Sequence, residues 1–266
     1  MPEWLAIVLL GIIEGITEFL PVSSTGHLLL VENTHLLPQQ SELFNVVIQA
    51  GAVLAVFFVF NRRIKDLLLT LHEPRTRDYL SKLIVAFVIT GAGGLLAKKA
   101  GFSLPKTVGP IAWATLVGGV LILVIEWWSR RKRLGAEITW AIAVTVGVAQ
   151  LLAVVFPGTS RAGATIMFAL ALGLTRSAAT EFSFLLGIPT LLVASAYEIY
   201  RGLRHPSMDD PTSWSMVLLG AVVSAVVAFV VVRWLIRWVQ THDFVAFGWY
   251  RIVLGVLMLA VGDRLR

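Results

Sequence analysis

Residues 14–27, EGITEFLPVSSTGH, place two carboxylates, a cluster of hydroxyls and a histidine inside a strongly apolar part of the chain. Glu14 and Glu18 are four residues apart, so on a helix they share one face. Pro21 predicts that this helix ends at or near Leu20, because the residue before a proline disfavours the helical conformation. Ionisable groups are costly in lipid and usually mark a functional site there. The stretch therefore predicts a broken helix with a site at the break.

The break itself is short and polar, reading Ser23, Ser24, Thr25 and Gly26. The apolar run that follows, residues 28–31, predicts a second helix. Ser24 or Thr25 is expected to cap its N-terminus, since both residue types favour that position.

The composition indicates an integral membrane protein. Of the 266 residues, 57% are hydrophobic and 14% charged, with a mean hydropathy of +0.82, whereas soluble domains average about 25% charged residues. The absence of cysteine excludes disulfides, thiolate metal sites and a cysteine nucleophile. The net charge of +6 comes from short loops between apolar segments, where basic residues set membrane orientation. We therefore expect no nucleic-acid partner.

Six apolar segments are long enough to cross a bilayer, at about 17–25 residues each: 44–60, 82–98, 108–128, 180–200, 215–234 and 245–263. Two further apolar regions, 4–36 and 138–174, are interrupted at 21–26 and 157–163. Each interruption leaves two helical arms of about 20–25 Å, a length that is marginal for crossing the bilayer. They predict re-entrant hairpins, whose irregular backbone must be buried in protein or face a cavity.

The two halves of the chain resemble each other weakly. A shift of 136 residues aligns Gly11 with Gly147, Glu14 with Gln150, Pro21 with Pro157, Ser24 with Ser160 and Gly51 with Gly187. Three spans separate equivalent points, so the halves, about 1–128 and 138–266, would have opposite orientations. The alternative is chance matching of Gly, Pro and Ser. The predicted fold is one all-α polytopic membrane domain, 1–266, with an inverted-topology repeat.

The basic residues predict the orientation of the chain. Twelve Lys and Arg residues fall on one side of the predicted topology and seven on the other. The richer side should be cytoplasmic, so both termini and the base of the first hairpin would face outside. Trp249 and Tyr250, near a span end, are typical of an aromatic belt.

The second break, PGTSRAGAT from Pro157, contains an arginine in an apolar hairpin. The planar fork of Arg161 fits a phosphate or carboxylate. Thr159 or Ser160 can cap the following helix, and Thr165 lies one turn beyond Arg161. Such a helix N-terminus is a ready anion site. In an inverted repeat the two breaks would approach each other and form one cavity.

This set of residues suits phosphoryl transfer. Arg161 and the helix N-termini would bind phosphoryl oxygens, and Glu14 and Glu18 could hold a hard divalent cation through oxygen ligands. Ser24 or His27 could attack phosphorus, with the other carrying the proton. The sequence predicts metal-assisted cleavage of a phosphate ester or anhydride at a membrane.

Each of these residues also has a simpler interpretation. Ser24 could be only a helix cap and His27 a hydrogen-bonded structural histidine. Glu14 and Glu18 could form a proton relay, or a structural network with Arg161. Inverted repeats with broken helices are also typical of transporters, so a transporter or flippase for a phosphorylated polyprenyl lipid is the alternative function.

Three features outside the breaks are expected to be structural. Glu181 and Arg251 lie near the starts of spans. We expect each to form an ion pair or to extend its side chain to the membrane interface. Residues 62–65 predict the start of a solvated loop.

The two broken stretches resemble the signature regions of the bacterial undecaprenyl-diphosphate phosphatase family, also called the bacitracin-resistance family. The resemblance extends to VVIQAGAVLAV from Val46 and ATEFSFLLGIP from Ala179. It implies an inner-membrane enzyme that hydrolyses undecaprenyl diphosphate to undecaprenyl phosphate and inorganic phosphate. That reaction recycles the lipid carrier for peptidoglycan and removes the form that bacitracin traps. The resemblance also implies Mg²⁺ or Ca²⁺ and a site that opens to the periplasm. A homodimer is a separate expectation, with the oligomeric state left open.

The resemblance also implies roles for particular residues. Glu14 and Glu18 match the family's glutamate motif and would hold the metal. Ser24 and His27 match its proposed nucleophile and acid/base, in an order left open. The expected phosphate-binding residues are Arg161, Ser160, Thr165, Ser23, Thr25 and Gln49. Ala162 stands where the family usually has serine, which predicts weakened or rearranged phosphate binding.

Overall fold

A computed structural model describes residues 1–34, 36–101, 107–204 and 213–262, and these residues are predominantly α-helical, as predicted. In chain order the helices are α1 (Glu3–Thr17), α2 (Ser24–Asn33), α3 (Glu42–Val59), α4 (Asn61–Leu69), α5 (Pro74–Lys99), α6 (Val108–Ser129), α7 (Trp140–Val155), α8 (Arg161–Ala171), α9 (Arg176–Arg204), α10 (Trp214–Trp238) and α11 (Val245–Gly262).

Several of these helices can cross a membrane. Within the described ranges, α5, α6, α9 and α10 are long and apolar enough, and α3 with α4 makes a fifth candidate that is bent by 63°. The sixth predicted span corresponds to α11, which belongs to the shorter apolar helices. The polytopic all-α fold is confirmed, whereas the count of six spans stays a prediction. Lys106, Arg264 and Arg266, used for the orientation, lie outside the described residues.

Helix α4 corrects one expectation. Residues 62–65 belong to this nine-residue helix rather than to a loop. Leu67 is buried while the basic side chains around it are exposed, because apolar residues recur there at spacings of three and four. Farther along the chain, the ion pair predicted for Glu181 is present, with Arg63 Nε 2.8 Å from Oε1.

The helix pairing follows the predicted repeat. α1 packs against α10 as α7 packs against α5. Of the two repeat-aligned glycine pairs, Gly11 and Gly147 make equivalent close approaches. A Cβ on Gly11 would lie 2.8 Å from the carbonyl oxygen of Gly220, and one on Gly147 would lie 2.8 Å from that of Ala86. Small residues at such contacts let helix backbones approach each other in a membrane.

Both broken regions form the predicted helix–turn–helix units. α1 and α2 have 15 and 10 residues, and α7 and α8 have 16 and 11. At about 1.5 Å per residue, each helix is shorter than the roughly 30 Å hydrocarbon core. These lengths are those expected of re-entrant hairpins.

The two turns share one unusual feature. Ser23 and Ser160 are the only non-glycine residues with positive φ in the described chain, at 76° and 66°. Each caps the next helix, accepting from the backbone amide of Gly26 at 3.3 Å and of Gly163 at 3.1 Å. The cap of α2 is therefore Ser23, and not Ser24 or Thr25.

This geometry also corrects the repeat register by one residue at the second helix of each hairpin, while Gly11 and Gly147 keep the shift of 136 residues in the first helix. Ser23, not Ser24, corresponds to Ser160. Ser24 and Arg161 consequently occupy the same position, the first residue of α2 and of α8.

Candidate functional site

The carboxylate of Glu18 lies at the centre of a polar cluster. It follows the last residue of α1 and is 7% exposed. Ser24 Oγ donates to Glu18 Oε2 at 2.7 Å, and Gln49 Nε2 donates to the same oxygen at 3.3 Å. Arg161 Nη2 donates to Glu18 Oε1 at 3.2 Å. Side chains from both hairpins and from α3 therefore meet at one carboxylate.

The guanidinium of Arg161 is held in a defined position. Its side chain is 10% exposed, and its Cζ lies 5.4 Å from the ring centroid of the buried Phe19. The backbone of Gly187 approaches so closely that a Cβ there would lie 2.3 Å from Nη1. Nε and Nη1 find no acceptor among the described residues. Buried donors without partners in a planar fork are suited to phosphate or carboxylate oxygens.

A cavity of about 380 Å³ opens beside this cluster. Its walls come from the two turns and from α3, α7 and α9. Seven of the ten predicted site residues line it: Glu18, Ser23, Ser24, Thr25, Gln49, Ser160 and Arg161. Glu14, His27 and Thr165 are not among the lining residues.

Glu14 lies one turn before Glu18 in α1 and is 2% exposed. No side chain in the described part of the protein donates a hydrogen bond to its carboxylate, whereas Glu18 has three donors. Two carboxylates buried this close together repel each other when both are ionised. The pair therefore needs a cation or a proton.

Both ring nitrogens of His27 contact groups other than the Ser24 side chain. Nδ1 lies 2.7 Å from the carbonyl oxygen of Ser23, and Nε2 lies 2.6 Å from Tyr250 Oη. The two rings stack at 5.6 Å. Since a carbonyl only accepts, the neutral imidazole carries its proton on Nδ1 and accepts from Tyr250 at Nε2. Nothing in the sequence around either residue indicates this contact, because 223 residues separate the partners.

Thr165 lies behind Arg161. Its hydroxyl donates to the carbonyl oxygens of Arg161 and Ala162, at 2.8 and 3.2 Å, and pairs with Ser183 Oγ. Thr165 and Ala162 are both fully buried outside the cavity. A serine at position 162 would not extend the lining by itself, so the structure offers no reason for the weakened binding that Ala162 predicts.

The prediction that Arg251 forms an ion pair or extends to the membrane interface is wrong. Arg251 is 1% exposed and donates to backbone carbonyls of α6 and of both turns. These oxygens belong to Ala114, Thr115, Pro21, Gly158 and Thr159, at 2.9 to 3.3 Å. One buried side chain thus fastens the two turns to each other and to α6.

These features define a class of protein: a helical membrane protein with a polar, arginine-bearing cavity between two broken helices. The family model described as bacitracin resistance protein BacA matches residues 7–257. The chain belongs to this family, in agreement with the resemblance of its two broken stretches.

Curated relatives match over nearly their whole length. A protein of Rhizobium etli (strain CIAT 652) is 49% identical over 260 residues, which is 97% of each chain. One of Xylella fastidiosa (strain 9a5c) is 46% identical over 260 residues, covering 97% of this chain and 98% of the relative. One of Xanthomonas oryzae pv. oryzae (strain PXO99A) is 45% identical over an alignment of 267 positions, which covers 97% of each chain. All three are named undecaprenyl-diphosphatase.

Proposed function

We propose that this protein is an undecaprenyl-diphosphate phosphatase, which hydrolyses undecaprenyl diphosphate to undecaprenyl phosphate and inorganic phosphate. Through this reaction it recycles the lipid carrier for peptidoglycan synthesis and confers bacitracin resistance. One observation carries the proposal: the buried Arg161 offers two unpaired donors at a cavity where Ser24 is hydrogen-bonded to Glu18. The names of the relatives support the same substrate.

Binding of the terminal phosphate falls to Arg161 and the two helix N-termini. Ser24 and Arg161 begin α2 and α8, where backbone amides and the helix dipole favour an anion. Nε and Nη1 of Arg161 would take phosphoryl oxygens, while Nη2 stays on Glu18. Ser23, Thr25, Ser160 and Gln49 line the same cavity and complete the phosphate site. Thr165 acts indirectly, by fixing the backbone of Arg161.

Ser24 is the nucleophile in this proposal. Its hydroxyl already donates to Glu18 at 2.7 Å, a distance suited to proton transfer, whereas both ring nitrogens of His27 are engaged elsewhere. Ser24 Oγ bonds to the terminal phosphorus as its proton passes to Glu18. The bond from that phosphorus to the bridging oxygen breaks, and undecaprenyl phosphate leaves with the proton from Glu18. Water then attacks the phosphoserine and gives one proton to Glu18, the bond from phosphorus to Ser24 Oγ breaks, inorganic phosphate leaves, and Glu18 returns the proton to Ser24.

His27 supports this geometry rather than attacking phosphorus. Its Nδ1 holds the carbonyl of Ser23, the residue with unusual φ that precedes Ser24. Tyr250 in turn fixes the imidazole.

A divalent cation, Mg²⁺ or Ca²⁺, fits Glu14 and Glu18. Both side chains are buried on consecutive turns of α1, and they offer the oxygen ligands that such cations prefer. The described residues contain no group of three or more His, Cys, Asp or Glu that could hold a metal, so substrate and water oxygens would complete the coordination. The bound ion would neutralise charge on the diphosphate.

We further propose that the protein resides in the bacterial inner membrane with its cavity open to the periplasm. The uneven distribution of Lys and Arg supports this orientation. Homodimer formation stays a prediction that the mass of the purified protein in detergent would check.

The test is phosphate release from undecaprenyl diphosphate by the purified protein in detergent, with Mg²⁺ or Ca²⁺ and after EDTA treatment. We expect turnover with the ion and its loss with EDTA. Translocation of the lipid in liposomes without phosphate release would instead favour a flippase and contradict the proposal.

A further inference from the structure

Gln150, in α7, lines the same cavity but has no role in the reaction described above. Its side chain is fully buried. The amide nitrogen donates to two threonine hydroxyls, Thr90 Oγ1 and Thr190 Oγ1, both at 3.0 Å. The amide is thus anchored between α5 and α9.

The two threonines fix which way the amide points. Thr90 donates its own hydroxyl proton to the carbonyl oxygens of Ala86 or Gly147, both at 3.0 Å, and Thr190 donates to that of Leu186 at 2.8 Å. Each hydroxyl has one proton, so toward Gln150 both can only accept. The group between them must be the NH₂, and the carbonyl oxygen must face the other way.

That oxygen, Gln150 Oε1, is buried and accepts no hydrogen bond from the described residues. An unpaired buried acceptor is unfavourable and needs a partner. The same cavity holds the unpaired donors of Arg161. Unpaired donors and an unpaired acceptor around one space indicate a ligand that carries both acceptor oxygens and an O–H group.

We infer that Gln150 is a further ligand-binding residue of this site, whose amide oxygen accepts a hydrogen bond from an O–H group in the cavity. This inference rests on the proposed phosphatase function. Two sources can supply the O–H group: a protonated oxygen of the terminal phosphate, or the water that attacks phosphorus. Orientation of an attacking water by a glutamine is known chemistry in phosphoryl transfer.

The choice of an amide at this position fits an anion site. Gln150 is the repeat counterpart of Glu14. A carboxylate can accept the same hydrogen bond, but it would repel the phosphate held by Arg161. An amide accepts without adding negative charge. The repeat therefore places a carboxylate, Glu14, in α1 and a neutral acceptor, Gln150, at the equivalent position of α7.

The test compares steady-state kinetics of Gln150→Met, which keeps the side-chain length without the acceptor, with the wild-type protein. Loss of one hydrogen bond should change a kinetic constant about tenfold. If the donor is phosphate, KM rises, and the rise is largest at low pH, where the phosphate is protonated. If the donor is water, kcat falls while KM stays within twofold.

Two further variants separate this role from a structural one. Thr190→Val removes one anchor of the amide and should change the same constant in the same direction, by less. Ser224→Ala is the matched control, because Ser224 Oγ on α10 is also buried and finds no partner among the described residues, but it does not line the cavity. Its kinetics should equal those of the wild type. Melting temperatures in detergent establish that each variant is folded.

Kinetic constants of Gln150→Met and Thr190→Val within twofold of the wild type, in folded proteins, would overturn the inference while leaving the phosphatase function intact. If the wild-type protein released no phosphate, the function itself would fail. Binding of inorganic phosphate to the wild type and to Gln150→Met, measured across pH, then tests the residue. Tighter binding by the wild type supports the inference, and equal binding rejects it.

Discussion

Arg161 Nη2 lies 3.2 Å from Glu18 Oε1, and this ion pair joins the two hairpins, 143 residues apart in the chain. The side chains are 10% and 5% exposed. A buried ion pair is weak evidence for stability, because the desolvation of both charges opposes their attraction. Its consequence here is positional, since it holds Arg161, whose Nε and Nη1 have no acceptor among the described residues, at a cavity that Ser24 also lines.

Gly187 tests how closely Arg161 must be held. A Cβ in Gly187→Ala would lie 2.3 Å from Arg161 Nη1 and 3.0 Å from Cζ, so the guanidinium must move. Because a displacement of about 1 Å can cost 10²-fold in rate, we expect kcat/KM for phosphate release to fall by about that factor. The matched control is Gly91→Ala, since a Cβ on Gly91 meets no atom within 4 Å. Equal activity of the two variants would show that Arg161 is not so constrained.

Tyr250 tests the orientation of His27. Tyr250→Phe keeps the stacked ring but removes the hydroxyl 2.6 Å from Nε2. We expect a fall in kcat of about tenfold, the effect of one hydrogen bond. Ser24→Ala should be far more damaging, because it removes the proposed nucleophile. Full activity in Ser24→Ala together with none in His27→Ala would reverse the assignment of the nucleophile.

Arg251→Lys tests whether the two turns need the hydrogen bonds that the Arg251 guanidinium donates to both of them. Arg251→Lys retains the charge, but its ammonium has three donors in place of five and leaves carbonyls of the turns or of α6 without a partner. Each unsatisfied buried group costs about 1–3 kcal/mol, so the melting temperature in detergent and the activity should both fall. Arg233→Lys, an exposed arginine on α10, is the control. An unchanged melting temperature in Arg251→Lys would show that the hydrogen bonds of the Arg251 guanidinium are not needed for stability.

Local sequence was enough to predict the elements that carry the chemistry. Pro21 and the polar residues after it marked the first break, and Arg161 marked the second as an anion site, because such residues are rarely placed in apolar segments without a function. Gly11 and Gly147, which the repeat aligns, also occupy equivalent helix contacts, whereas Gly51 and Gly187 do not. The cap of α8 is Ser160, one of the two residues predicted for it, whereas that of α2 was misplaced by one residue, since Ser23 adopts a positive φ that its residue type does not favour.

The sequence predicted that the two breaks meet, but it did not predict the partners of Tyr250, Arg251 and Gln150. Tyr250 and Arg251 looked like residues at a membrane interface, yet they contact His27 and the carbonyl oxygens of both turns. The amide of Gln150 depends on threonines from two other helices. Such partners are set by helix packing and leave no pattern in the sequence around either residue.

The ion pair of Asp243, in the loop between α10 and α11, predicts that the stability of the fold depends on pH. This effect arises outside the membrane-spanning helices. Burial would raise the pKa of its carboxyl, but hydrogen bonds from Arg130 and the Val245 amide, with the Arg130 and Arg176 charges, lower the pKa below its ordinary value of 3.8. A depressed pKa stabilises the fold above pH 3.8, and this stabilisation disappears as the pH falls through the native pKa.

Asp243→Asn should therefore melt at a slightly lower temperature than the wild type at pH 7. The difference corresponds to about 1 kcal/mol or less, because the pair is partly exposed. It should persist down to about the ordinary pKa and vanish at lower pH. Asp66→Asn, at an exposed position of α4, serves as the control. A difference between Asp243→Asn and the wild type that stays constant to the lowest pH would argue against the ion pair.

The most direct test of a site shared by both hairpins is a double-mutant cycle on phosphate release from undecaprenyl diphosphate. The kcat/KM values are measured for the wild type, Glu18→Gln, Arg161→Ala and the double variant. We predict a loss of about 10²-fold or more in each single variant. The kcat/KM of the double variant should be little lower than that of the less active single variant, because the effects of residues in one catalytic unit are not additive. Losses that multiply in the double variant, or near-normal turnover in Arg161→Ala, would contradict a shared site.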